Sequence, residues 1–116
     1  MRRWGWVGLL LVGMTGGVGA ASPSMGCVAR SVSSVYGPVP VECVPNLEVD
    51  GEPVYGAFFP LERRVRLRAG LPDDYARAVL EHEACHIALT DADIEPPPEV
   101  TERLCDAIAA QRVGRR

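Results

Sequence analysis

The spacing of apolar residues lengthens from two to between three and four near position 70, dividing the chain into a strand-forming part and a helical part. Val39–Val44 alternates around Pro40 and predicts a strand at a sheet edge, since proline cannot donate to a ladder. Ahead of it the pattern is weak, with a strand near Val28 to Val35 and a turn at Tyr36-Gly37-Pro38. Pro45-Asn46 and Val49-Asp50-Gly51-Glu52-Pro53 read as further turns. Val54–Phe59 predicts a strand, broken at Pro60-Leu61-Glu62. Arg63–Arg68 alternates arginine with apolar residues, as a half-exposed strand does, and the short break makes the two a hairpin.

From Pro72 the period is helical. Pro72 suits a first helical turn, Asp73 and Asp74 complement the positive end of the dipole, and the helix should run to Leu89 or Thr90. Tyr75, Ala78, Val79, His82, Cys85, His86 and Leu89 share one face, while Ala76, Leu80, Ala84 and Ile87 lie opposite. Only Asp74, Arg77 and Glu81 mark a wet edge, so this helix is mostly buried. An acidic loop over Thr90 to Glu95 and the stiff Pro96-Pro97-Pro98 lead to a second helix, from about Pro98 to Val113 and ending at Gly114. The pattern predicts one α+β domain over residues 21–116, a small antiparallel sheet followed by two packed helices.

Composition adds a compartment. Met1-Arg2-Arg3, the apolar run Trp4 to Met14 and the small residues Val18-Gly19-Ala20 have the layout of a signal peptide over residues 1–20. The run is too short to span a bilayer, so no stable membrane span is expected after cleavage and the mature chain is secreted or periplasmic. An uncleaved anchor, or acylation at Cys27, is the competing arrangement. Export makes two disulfides the expected state of Cys27, Cys43, Cys85 and Cys105, with three possible connectivities. All twelve basic residues are arginine, the net charge is −3, and the arginines form no stripe, which disfavours nucleic acid.

Both histidines of the chain lie in His82-Glu83-Ala84-Cys85-His86, an HExxH sequence. Residues four apart on a helix stack on one face, so the two imidazoles can ligate one metal ion, with Glu83 turned toward the same cleft about 100° round the helix. Zinc suits imidazole nitrogens, and a third protein ligand leaves a position for water, from which Glu83 could take a proton. The alternative is a histidine pair that only packs. In the second helix, Glu102 is the candidate third ligand, and Asp106, one turn on, could accept the spare N–H of a ligating histidine. Alone, these two would pass for exposed acids on an amphipathic helix. Cys85 follows His82 by three and Cys105 follows Glu102 by three, so a shared ion would bring the cysteines side by side; Cys85–Cys105 and Cys27–Cys43 are the preferred pairs. A thiolate ligand in a closed structural site is the competing use of Cys85 or Cys105.

His82-Glu83-Ala84-Cys85-His86 followed by Glu102-Arg103-Leu104-Cys105-Asp106 resembles the HExxH plus ExxxD pattern of the gluzincin zinc metallopeptidases, over the C-terminal half of the chain. The resemblance implies a minimal zincin-like core and peptide hydrolysis with Zn2+. His82, His86 and Glu102 would hold the metal, Glu83 would be the base and Asp106 the support. The strand around Val65 would be an edge against which a peptide or protein substrate lies extended. The gap between the motifs is shorter than in thermolysin-like members, and no further histidine is left to stabilise an oxyanion, which leaves Tyr36, Tyr55 or Tyr75. A metzincin pattern fits less well, with Leu89 in place of its glycine and Ala92 in place of its third ligand, although Asp91 or Asp93 could substitute. The runner-up function is a non-catalytic exported domain that binds zinc or a protein partner.

Overall fold

The computed structural model describes residues 27–114, in the order β1 (Ser31–Val32), β2 (Val39–Val44), β3 (Glu48–Val49), β4 (Glu52–Pro53), β5 (Gly56–Phe59), β6 (Arg64–Arg68), α1 (Asp73–Asp91) and α2 (Pro98–Gly114). The expected signal peptide and its cleavage point lie outside the described residues. The architecture is α+β, with a four-stranded sheet ordered β1-β2-β6-β5, a separate β3–β4 hairpin and two packed helices.

The sheet is mixed, not antiparallel. β1–β2 and β5–β6 are antiparallel pairs, and they dock through their second strands, so β2 and β6 run parallel. Two edge assignments change with this topology. β2 lies inside the sheet: Val41 N–H donates to Arg30 O at 3.0 Å on the β1 side, so the nitrogen of Pro40 faces the β6 side, where it precedes the four residues that pair and costs no ladder bond. β6 is also interior, bonded to β2 and β5, so the Val65 region cannot offer an open edge. The edge strand next to α1 is β5.

The parallel register follows from both faces at once. Val41 and Cys43 stand beside Val65 and Leu67 on the helix side, where Val39, Phe58, Val65, Leu67, Val79 and Ile87 form the core. On the outer face, Glu42 accepts from Arg64 at 2.8 Å and Arg66 at 2.9 Å. A slip of one residue would turn these charges into the core. Between β3 and β4, Asp50 and Gly51 both take positive φ, 54° and 80°, which makes the anticipated turn a tight two-residue hairpin.

α1 has no side-chain cap at Pro72, but its far end is closed well. Asp93 adopts φ 61°, and Ile94 N–H reaches back to Leu89 O at 2.9 Å, a Schellman arrangement with Asp where Gly is usual. Asp91 in the last turn accepts from Arg63 at 2.8 Å and from the Ser34 hydroxyl at 2.6 Å, which ties the helix end to two strand turns. Val79 packs so closely on β5 that a Cβ at Gly56 would come within 2.5 Å of its Cγ1. α2 packs on α1, and its buried residues are Thr101, Cys105 and Ala109, all small. At about 0.8 kcal/mol per buried methylene, such a set contributes little to docking. Disulfides Cys27–Cys43 and Cys85–Cys105 are both present, the first from the amino-terminal approach to β2 and the second from α1 to α2.

Candidate metal centre

His82 and His86 project from α1 toward α2 and are 2 % and 1 % exposed. Four-residue spacing stacks the rings at a centroid distance of 4.9 Å, with the two Nε2 atoms 3.1 Å apart. Glu102, in the second turn of α2, meets them with Oε1 3.0 Å from His82 Nε2 and Oε2 3.3 Å from His86 Nε2. Asp106, one turn further, lies 2.7 Å from His82 Nδ1. A carboxylate only accepts, so His82 Nδ1 donates to Asp106, and a neutral ring so held has Nε2 as its ligating nitrogen.

That tautomer explains what the cluster needs. Nε2 of His82 faces the Glu102 carboxylate, so a proton or a metal ion must stand between them. The spacing also suits a metal ion. Ligands about 2.0–2.1 Å from a tetrahedral zinc sit about 3.3 Å from one another; here the two Nε2 atoms are 3.1 Å apart and each faces a different oxygen of Glu102, at 3.0 and 3.3 Å. His82, His86 and Glu102 are thus a group that could hold a metal ion. Burial pushes the Glu102 carboxyl up, but the bonds to His82 and His86 outweigh it and hold it down to about 2. It is therefore ionised, as a ligand must be.

Glu83 is on the adjoining face of α1, toward β5. It is 0 % exposed, and among the described residues neither carboxylate oxygen meets a donor in full hydrogen-bond geometry, the Phe58 backbone amide being a weak partner. Burial first, then the charges of Glu102 and Asp106, push its carboxyl well above the usual range; the backbone amide of Phe58 offsets this only in part. Phe58 belongs to β5, whose one partner among the described residues is β6. The open edge of the sheet therefore runs beside Glu83.

The remaining expected residues are dispersed. Asp91 is taken up by Arg63 and Ser34, and Asp93 closes α1, so neither joins the histidine group. Tyr36 lies under Arg63, 5.8 Å from ring centre to guanidinium carbon, at the far end of α1. Tyr55 and Tyr75 meet edge to face at 5.1 Å. Burial, then Tyr55 and Asp106, raise the Tyr75 phenol, which puts this side chain within reach of the Asp106 charge. The sequence reasoning missed the Phe58 amide beside Glu83 and the Arg63–Asp91–Ser34 junction. No local signal marks either, since both depend on which strand covers which edge.

The arrangement defines a two-helix site with a His-His-Glu donor set, an acidic support for one imidazole and an isolated buried carboxyl beside it. Comparison of the chain with protein-family models, with curated proteins and with solved structures finds no match. The two disulfides favour an oxidising compartment, and among the described residues no helix is long and apolar enough to cross a membrane.

Proposed function

We infer that the chain is an exported zinc-dependent metallopeptidase of minimal, gluzincin-like type. The observation that carries this reading is the convergence of His82, His86 and Glu102 on one point, with the buried and poorly satisfied carboxyl of Glu83 beside it. Proteins rarely leave a carboxyl buried without a good partner, because the desolvation is uncompensated. Such cost is tolerated where the group has work to do.

His82, His86 and Glu102 would hold a divalent cation, which when bound would polarise a carbonyl and make water more acidic. The chain's own residues supply the rest. Asp106 fixes the His82 ring and its tautomer. Glu83, in its ionised form, would take a proton from water and pass it to the departing amine. The open edge of β5 lets an extended peptide add as a further strand, so its backbone lies alongside Glu83.

One observation favours a second reading, a non-catalytic exported zinc-binding or protein-interaction domain. Glu83, His82 and His86 are all enclosed, and the exposed member of the group is Glu102, whose side chain is 38 % accessible. The two readings part on Glu83→Gln. For the peptidase, zinc stoichiometry stays at one and cleavage of unstructured polypeptide disappears. Retained cleavage in Glu83→Gln, or none in a zinc-loaded wild type, rejects the peptidase.

A further inference from the structure

α2 is docked in an unusual way. It turns Thr101, Cys105 and Ala109 toward α1, while its larger apolar residues Val100, Leu104 and Ile108 stay 47 %, 40 % and 36 % exposed. What joins it to α1 is mostly not apolar packing. It is the Cys85–Cys105 disulfide, the contacts of Glu102 and Asp106 with the histidines, and an exposed pair between Arg112 and Glu81 at 3.6 Å.

These attachments interleave. Cys85 lies between His82 and His86, and Cys105 lies between Glu102 and Asp106. Cys85 is 8 % exposed and Cys105 0 %, so an attacking reagent reaches their sulfurs only when α2 rolls away from α1. The same movement carries Glu102 and Asp106 off the imidazoles. The opening that exposes the disulfide is thus the opening that dismantles the donor set.

We propose that the Cys85–Cys105 disulfide and a metal ion on His82, His86 and Glu102 are mutually protecting locks on α2, so that metal shields the disulfide from reduction and reduction releases the metal. The proposal rests on the metal-binding part of the reading above and not on peptide hydrolysis. In the redox step an external phosphine attacks one sulfur and supplies two electrons, breaking the Cys85–Cys105 bond. Water then gives its oxygen to phosphorus and its two protons to the sulfurs, leaving two thiols and the phosphine oxide. At equilibrium the coupling is reciprocal, so bound metal and closed disulfide favour each other by the same factor.

Cys27–Cys43 provides the internal control. Both of its cysteines are half-buried, and Cys43 is held in β2 by the ladder with β6, opposite Leu67. The experiment treats the wild-type protein with tris(2-carboxyethyl)phosphine, with one equivalent of zinc or with chelator, and follows each disulfide by alkylation and peptide mass. Zinc should slow reduction of Cys85–Cys105 at least about tenfold and leave Cys27–Cys43 unchanged. In the reciprocal arm, Cys85→Ser/Cys105→Ser should bind zinc at least about tenfold more weakly. Equal reduction rates with and without zinc overturn the proposal, and the wild-type arm decides it even where the double variant does not fold. Wild type that binds no zinc removes both this coupling and the metallopeptidase reading. Zinc-protected disulfide without cleavage of any polypeptide upholds the coupling and removes only the hydrolase.

Discussion

On the outer face of the sheet, Glu42 takes Arg64 at 2.8 Å and Arg66 at 2.9 Å, with each side chain at least 33 % exposed. Between the helices, His82, His86 and Glu83 are at most 2 % exposed, and the carboxyl of Glu83 is poorly satisfied. Both are clusters of opposite or complementary charge held by two elements. The first sits in high dielectric, where water would serve its members nearly as well, and exposed pairs of this kind contribute under about 1 kcal/mol. The second has left water, so each polar group must find a partner or be destabilised. Charge density alone therefore does not mark a site in this protein. Burial without full satisfaction does.

The sharpest way to break the contrast is to remove a member of the buried donor set. Glu102→Ala should lower zinc affinity at least about 100-fold and His86→Ala similarly, read by titration against a competing chelator. Removing Arg64 or Arg66 from the sheet face should leave zinc binding alone. Asp106→Asn comes next, with a loss of about 10- to 100-fold, since the orientation of His82 would rest on a weaker acceptor. A third change should go the other way. Glu83→Met removes a buried, poorly satisfied carboxyl and should stabilise the metal-free protein by about 1–3 kcal/mol in denaturant melts. A decrease in stability would show that the carboxyl has a compensating partner after all.

Gly56→Ala tests the packing behind the site. Its Cβ would meet Val79 Cγ1 at 2.5 Å, so β5 must shift from α1 at a cost of about 1–3 kcal/mol. The smallest effect belongs to the sheet face and to pH. A hydrogen bond from Arg66 holds the Glu42 carboxyl below its usual 4.5; burial opposes it, and the charges of Arg64 and Arg66 with a hydrogen bond from Arg64 tip the balance downward. A depressed folded value means the contribution is present above pH 4.5 and fades as the pH falls through the folded value. Glu42→Gln should therefore lower stability slightly at neutral pH, change nothing well below the folded value, and flatten the acid limb between. An equal loss at pH 7 and pH 3 would assign the effect to packing instead.

Much of the helical half was legible in the chain. Pro72 with Asp73 and Asp74 marked one helix start, Pro98 and Gly114 bounded the second, and the observed spans are Asp73–Asp91 and Pro98–Gly114. Four-residue spacing put His82 and His86 on one face, and the matched offsets of Cys85 and Cys105 favoured the disulfide that the structure contains. These inferences work because a helix converts local spacing directly into direction.

The sheet was legible only strand by strand. Alternation over Arg63–Arg68 and around Pro40 indicates which side chains face inward, but it carries no information on which backbone edge is covered. Hence β2 and β6 were expected at edges and antiparallel, whereas the structure docks them in parallel inside the sheet and leaves β5 open. Taken alone, the sequence determined the element types, the helix bounds and the residue types on each helix face, all set by steric and hydrogen-bonding rules that act within a few residues. The tertiary structure alone decided that Glu102 closes on the two imidazoles, that Glu83 is stranded beside the edge of β5 and that α2 docks almost without apolar packing. Those outcomes are balances among desolvation, pairing and close approach between segments distant in the chain, and no local pattern encodes such a balance.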